Sequence, residues 1–91
     1  MTSDVGAGEP KVLSALSTGG EGIVHSLAGG HEFRSRVANL GFTVGAPLKV
    51  LQNYGRGPIL VSLRGAMVAL GRAEAAKVTV KEAGDDAQLP Q

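Results

Sequence analysis

The sequence lacks cysteine and has few aromatic residues, and both shortages narrow its possible functions. The 91 residues include no Cys, no Trp, one Tyr and two Phe. Without cysteine the chain has neither a disulfide nor a thiolate ligand for a metal ion. With so few aromatic rings, the core must be built from aliphatic side chains, and a core of this size rarely contributes more than about 3–5 kcal/mol of net stability. We expect one small domain of modest stability.

Long hydrophobic runs are also absent. No stretch of apolar residues approaches the roughly 20 that a transmembrane helix needs. The opening residues, MTSDVGAGEPK, have neither the basic start nor the apolar block of a signal peptide. The sequence therefore predicts a cytoplasmic protein.

The formal net charge of +1 conceals a separation of charge along the chain. Residues 13–82 carry eight basic and four acidic side chains, whereas the two ends are acidic. The ends, residues 1–11 and 83–91, are polar and lack a hydrophobic period, so we predict two disordered tails around one domain at residues 12–82. Because the basic residues are scattered and only Tyr54 could stack on a base, we expect no nucleic-acid partner.

One short amphipathic helix and a glycine stop lie near the middle of the chain. Phe33, Val37 and Leu40 recur at the spacing of one helical stripe, which predicts that this face is buried. Gly41 follows the stripe at the position where a left-handed residue ends a helix. In that arrangement Phe42 contacts Val37, and the chain continues into a strand.

Alternating apolar residues predict a mainly β fold. Tight turns separate the strands, and one further helical turn is expected at residues 72–76. Residues 12–16 fit either an edge strand or a helical turn. Five short strands and one helix favour a small, closed or nearly closed β-barrel, a fold that commonly serves as a binding module. The predicted strands cover residues 23–27, 48–54, 59–64, 66–70 and 78–80.

The residues offer little chemistry for an enzyme or a metal centre. His25, His31 and Glu32 are weak metal candidates, because the histidines fall on a strand and in a loop at a spacing that matches no zinc motif. No serine lies in a nucleophile elbow, and the glycines form no phosphate-binding loop. We predict a protein without catalytic residues.

A docking patch is the better functional hypothesis. If Val61 and Val68 face inward across a turn at Arg64, then Leu60 and Met67 both point outward on paired strands. Exposed apolar side chains with a polar rim are typical of interaction sites. The alternative is that the helix or a tail covers both residues.

An ordered set of short motifs resembles the FeoA family. The family pattern has a leucine entry, a Pro-Gly loop, a strand and an arginine-rich helix ending in Leu-Gly. A Thr-Pro-Gly turn, two strands joined by a short turn, Arg-Gly, a further strand and an Arg-Glu-Ala-Ala segment follow. These correspond to Leu13–Leu16, Gly20–Val24, Arg34 and Arg36 before Leu40–Gly41, Phe42–Gly45, Val61–Gly65 and Arg72–Ala76.

The resemblance implies an SH3-like barrel that acts as a non-catalytic accessory protein of bacterial ferrous iron uptake. Its expected partner is the cytoplasmic side of FeoB, the iron transporter and GTPase, which it would modulate; contact with the membrane would occur only through that partner. We expect Leu60, Met67, Arg64, Arg34 and Arg36 to form the partner-binding surface. No cofactor is required, although weak association with a divalent transition metal such as ferrous iron fits the family. A metal-binding or repressor-like, peptide-binding SH3 module is the alternative.

Overall fold

A computed structural model of the protein describes residues 9–82, and these form a mainly β domain, as predicted. Its six strands lie in one antiparallel sheet with the order β1-β6-β2-β3-β4-β5. The tails predicted at 1–11 and 83–91 lie largely outside the described residues. The elements are β1 Lys11–Val12, a 3₁₀ turn Leu13–Ala15, β2 Glu21–Leu27, α1 His31–Asn39, β3 Pro47–Gln52, β4 Ile59–Leu63, β5 Ala66–Leu70, α2 Arg72–Ala75 and β6 Val78–Glu82.

The described sheet has one strand more than the sequence predicted. β1 pairs with β6 through Lys11 opposite Val80, so Lys11 belongs to the sheet and not to a tail. The Lys11 ammonium also lies 3.1 Å from a carboxylate oxygen of Glu82. A 3₁₀ turn follows at once and buries Leu13. The edge strand and the helical turn considered for residues 12–16 are therefore both present in this region. Each is too short to give a clear sequence period.

The C-terminus of α1 has the predicted glycine stop. Gly41 adopts φ +108°, and the N–H of Phe42 donates to the carbonyl of Val37 at 3.0 Å, as in a Schellman motif. Phe33, Val37 and Phe42 are buried. Leu40, which the stripe predicted to be buried, is 43% exposed because it is the residue at which the chain leaves the helix.

The core consists of the inward residues of the strands. Val50, Val61 and Val68 pair across β3, β4 and β5 and form one apolar row. Leu51 follows the buried Val50 on β3, so strand alternation makes it outward-facing, and it is 39% exposed. The register of β3 against β4 shifts between Val50 and Gln52. On β2, whose facing the sequence left open, Val24 is buried and Ile23 is 45% exposed.

A polar network joins three segments that are distant in sequence. The side-chain amide of Asn53 donates to the carbonyls of Ser14 and Leu16 at 3.1 and 2.6 Å. Its oxygen accepts from the guanidinium of Arg72 at 2.8 Å, and Arg72 also donates to the Gly57 carbonyl at 2.9 Å. The network therefore ties the 3₁₀ turn, the β3–β4 loop and α2 together.

Candidate functional site

An apolar patch lies on the outer face of the sheet. Met67 on β5 is 68% exposed and Leu51 on β3 is 39% exposed, while Leu60 on β4 is half-buried. Since Ser62 pairs with Met67 and Leu60 with Ala69, Leu60 and Met67 are diagonal neighbours on one face, as predicted. We call Leu51, Leu60 and Met67 the outer apolar patch. α1 does not cover Met67. Sequence reasoning did not name Leu51, although strand alternation after the inward Val50 places it on this face.

Arg64, expected beside this patch, extends elsewhere. Arg64 and Gly65 adopt φ +53° and +84° in a two-residue hairpin loop, the combination found in a type I′ turn. The guanidinium of Arg64 lies 3.5 Å from the hydroxyl of Thr43, in the turn after α1. Its charge is therefore associated with the helix side of the domain.

The two helix arginines point to different sides of α1. Arg36 forms an ion pair with Glu74 of α2 at 2.5 Å and lies 5.8 Å from the centroid of the Phe33 ring. This pair is structural, because it links α1 to α2. Arg34 is exposed and makes no ion pair with another described residue. The five residues expected to bind a partner thus lie on more than one surface.

The Arg36–Glu74 pair also changes an acid–base equilibrium. The hydrogen bond from Arg36, followed by that from the backbone N–H of Gly71, holds the pKa of the Glu74 carboxyl below its usual value. The carboxylate accepts from Gly71 at 3.3 Å, as expected of the third residue in a capped helix. Glu74 therefore stays ionised while it joins the two helices.

A shallow groove runs along the free side of α1. His31, Arg34, Ser35 and Ala38 recur at the spacing of one helical stripe and form one wall. Leu27, Phe42, Thr43 and Val44 form the floor and the opposite wall. We call this feature the helix groove. Val44 is 69% exposed although it is apolar.

The three weak metal candidates do not converge. His25 is exposed on β2, and His31 lies at the helix groove. Glu32 borders a different cleft, with Phe33, Arg36 and Lys77. Within residues 9–82 there is no group of three or more His, Cys, Asp or Glu side chains placed to hold a metal ion. The donors described here do not fit a metal centre, and we derive no chemistry through one.

Nor do the described helices include a membrane span. None of those within residues 9–82 is both long and apolar enough to cross a bilayer.

Comparison with known proteins identifies the family. The FeoA domain model matches residues 11–82, which is nearly the whole described domain. The chain belongs to the FeoA family. Members of this family are non-catalytic accessory domains, so the prediction that the chain is not an enzyme is confirmed.

Individual relatives give the same result. A protein of Methanocaldococcus jannaschii that carries the name Fe(2+) transport protein A is 34% identical over 71 residues, which span 78% of this chain and 85% of that protein. The crystal structure of an iron uptake regulatory protein, FeoA, is 35% identical with a TM-score of 0.78 and covers 81% of this chain and 99% of its own. The FeoA of Stenotrophomonas maltophilia, a prokaryotic SH3 domain protein crystallised with zinc, is 27% identical with a TM-score of 0.67, covering 76% and 87%. The predicted SH3-like fold is therefore confirmed.

Proposed function

We propose that this protein is an accessory factor of ferrous iron uptake that docks on the cytoplasmic side of the FeoB transporter and modulates it. Family membership and the iron-transport role assigned to the archaeal relative support the first part. The lack of catalytic residues supports a role exerted by binding. The physical basis of docking is the outer apolar patch.

The observation that carries this proposal is the exposure of Met67. Met67, on a β-strand, leaves 68% of its surface in water. When a partner covers this side chain, apolar area is removed from solvent and the free energy of the complex falls. Leu60 and Leu51 extend the same surface across two neighbouring strands. Lys49 and Ser62, which pair with each other on this face, give it a polar component.

Charge assists the encounter in this proposal. Residues 13–82 carry four more basic than acidic side chains. A positively charged body is attracted to acidic surfaces and to the anionic inner leaflet that surrounds a transporter. Such steering acts mainly on the association rate, so it weakens as salt is added.

A binding titration tests the proposal. The full chain is titrated against purified FeoB and, separately, its soluble GTPase domain, at low and moderate salt. We expect saturable binding that weakens with salt and falls about fivefold or more in Met67→Ser, as for a residue at the centre of an interface. Val12→Ser is the matched control, because Val12 is also exposed but lies on β1 at the opposite edge of the sheet. Equal binding by both variants would refute docking through the patch.

Direct metal binding is the second candidate, and the zinc in the S. maltophilia relative favours testing it. The test is a titration of the chain with Zn²⁺ or Fe²⁺, monitored through the imidazole NMR signals of His25 and His31. Imidazole signals that do not shift at excess metal would remove this candidate. Shifts that saturate at one equivalent would establish it.

A further inference from the structure

The helix groove is separate from the outer apolar patch. Its helical wall carries His31, Arg34, Ser35 and Ala38, and no residue of the outer apolar patch lines it. The groove spans eight residues of α1, from His31 to Ala38, or about 10 Å at 1.5 Å per residue. An extended peptide rises about 3.3 Å per residue, so roughly three of its residues fit along this length.

The groove is apolar at its base. Phe42 is fully buried beneath it and Leu27 is half-buried, while Ala38 of the helix leaves room above them. Val44 forms the wall opposite the helix and is 69% exposed. An apolar side chain from a partner could therefore contact the accessible aliphatic carbon of Leu27, Ala38 and Val44, and its burial would stabilise the complex.

The charge around the groove is of one sign. Arg34 lies in the middle of the helical wall and makes no ion pair with another described residue. Arg64 reaches the far wall through its 3.5 Å contact with Thr43. The acidic residue nearest in sequence, Glu32, borders the other cleft of the helix, and no Asp or Glu lines the groove. The groove thus offers guanidinium groups without a competing carboxylate.

From this combination we infer that the helix groove binds an acidic, extended peptide segment of a partner protein. Apolar side chains of the segment would lie on Leu27 and against Val44, and its carboxylates would pair with Arg34 and Arg64. In an extended chain alternate side chains point to opposite sides, so a sequence that alternates acidic and aliphatic residues satisfies the floor and the rim together. This inference does not depend on the proposed docking on FeoB.

The test uses the full chain labelled with ¹⁵N and a short synthetic peptide that alternates Asp and Leu, with its ends acetylated and amidated. A matched peptide carries Asn in place of every Asp. We expect saturable shifts of backbone amides at 31–38 and 42–44 with the Asp peptide, weaker at moderate salt, and little binding of the Asn peptide.

Single substitutions separate charge from packing. Arg34→Gln should weaken binding about two- to fivefold, the range for one exposed ion pair, and Arg34→Gln with Arg64→Gln about tenfold. Val44→Ser should weaken it about fivefold through lost apolar contact. Arg56→Gln removes the same charge from the β3–β4 loop, outside the groove, and should leave binding unchanged.

Three outcomes would overturn the inference. One is equal binding of the Asp and Asn peptides. Another is a loss in Arg56→Gln as large as that in Arg34→Gln, which would indicate attraction to net charge alone. The third is binding to vesicles that contain phosphatidylglycerol with no binding of the peptide, which would make the groove a lipid-surface contact. Unchanged thermal unfolding of each variant ensures that these losses report binding.

Discussion

Adding a single methyl group at Gly41 should destabilise the fold for two separate reasons. Gly41 ends α1 at φ +108°, a conformation that costs an alanine about 1–2 kcal/mol. A Cβ placed there would also lie 2.9 Å from a methyl carbon of Leu63, which is only 1% exposed and has little room to move. Overpacking of this kind costs about 1–2 kcal/mol more. We therefore expect Gly41→Ala to lower the free energy of unfolding by about 2–4 kcal/mol.

The assay is urea and thermal unfolding followed by circular dichroism. For a domain of this size each kcal/mol lowers Tm by about 4–8 °C, so Gly41→Ala should melt at least about 10 °C below the wild type. Gly45→Ala is the matched control: Gly45 adopts φ +94°, but a Cβ there meets no atom within 4 Å. It should lose only the backbone term, about 1–2 kcal/mol. Equal losses in both variants would refute the packing argument.

Three further predictions concern polar residues and turns. Asn53→Ala should destabilise the domain by about 2 kcal/mol in urea unfolding, because partly buried carbonyls lose their donor; Gln52→Ala, its neighbour, should not. Glu74→Gln should be less stable than the wild type at neutral pH. The pKa of Glu74 is lower in the folded than in the unfolded protein, so the stabilisation by its carboxylate is complete above the unfolded pKa and is lost as pH falls through the folded pKa. The difference in urea midpoint between Glu74→Gln and the wild type should therefore disappear in acid. Arg64→Asn should raise Tm by a few degrees, or about 0.5 kcal/mol, because Asn tolerates the left-handed φ better; an unchanged or lower Tm would contradict the turn assignment.

Much of the fold was predictable because its signals are local. The i, i+4 spacing of Phe33 and Val37, the glycine after the helix and the period-two residues of β4 and β5 each depend on neighbours in sequence, and each prediction was confirmed. The prediction that Leu40 is buried was wrong, because the same spacing continues past the point where the helix ends. β1 was left as one of two alternatives because a two-residue strand has no period to detect.

The candidate surfaces were less predictable because they depend on long-range placement. Leu60 and Met67 follow from strand alternation and a short hairpin, which the sequence contains. Leu51 lies on the same face by the same alternation, because it follows the inward Val50, but the prediction did not extend the patch to β3. Arg36 looks like a free helix arginine in sequence, but its partner Glu74 lies on another helix. No local sequence pattern indicates such an ion pair.

The measurement that tests docking most directly is an NMR footprint of the partner on this domain. The ¹⁵N-labelled chain is mixed with the soluble GTPase domain of FeoB, and with the whole transporter in a lipid nanodisc, and the broadened amide signals are mapped. The account predicts that broadening centres on Leu51, Leu60 and Met67 and that Met67→Ser weakens it. A footprint confined to β1 and β6, or no broadening with either form of the transporter, would contradict it.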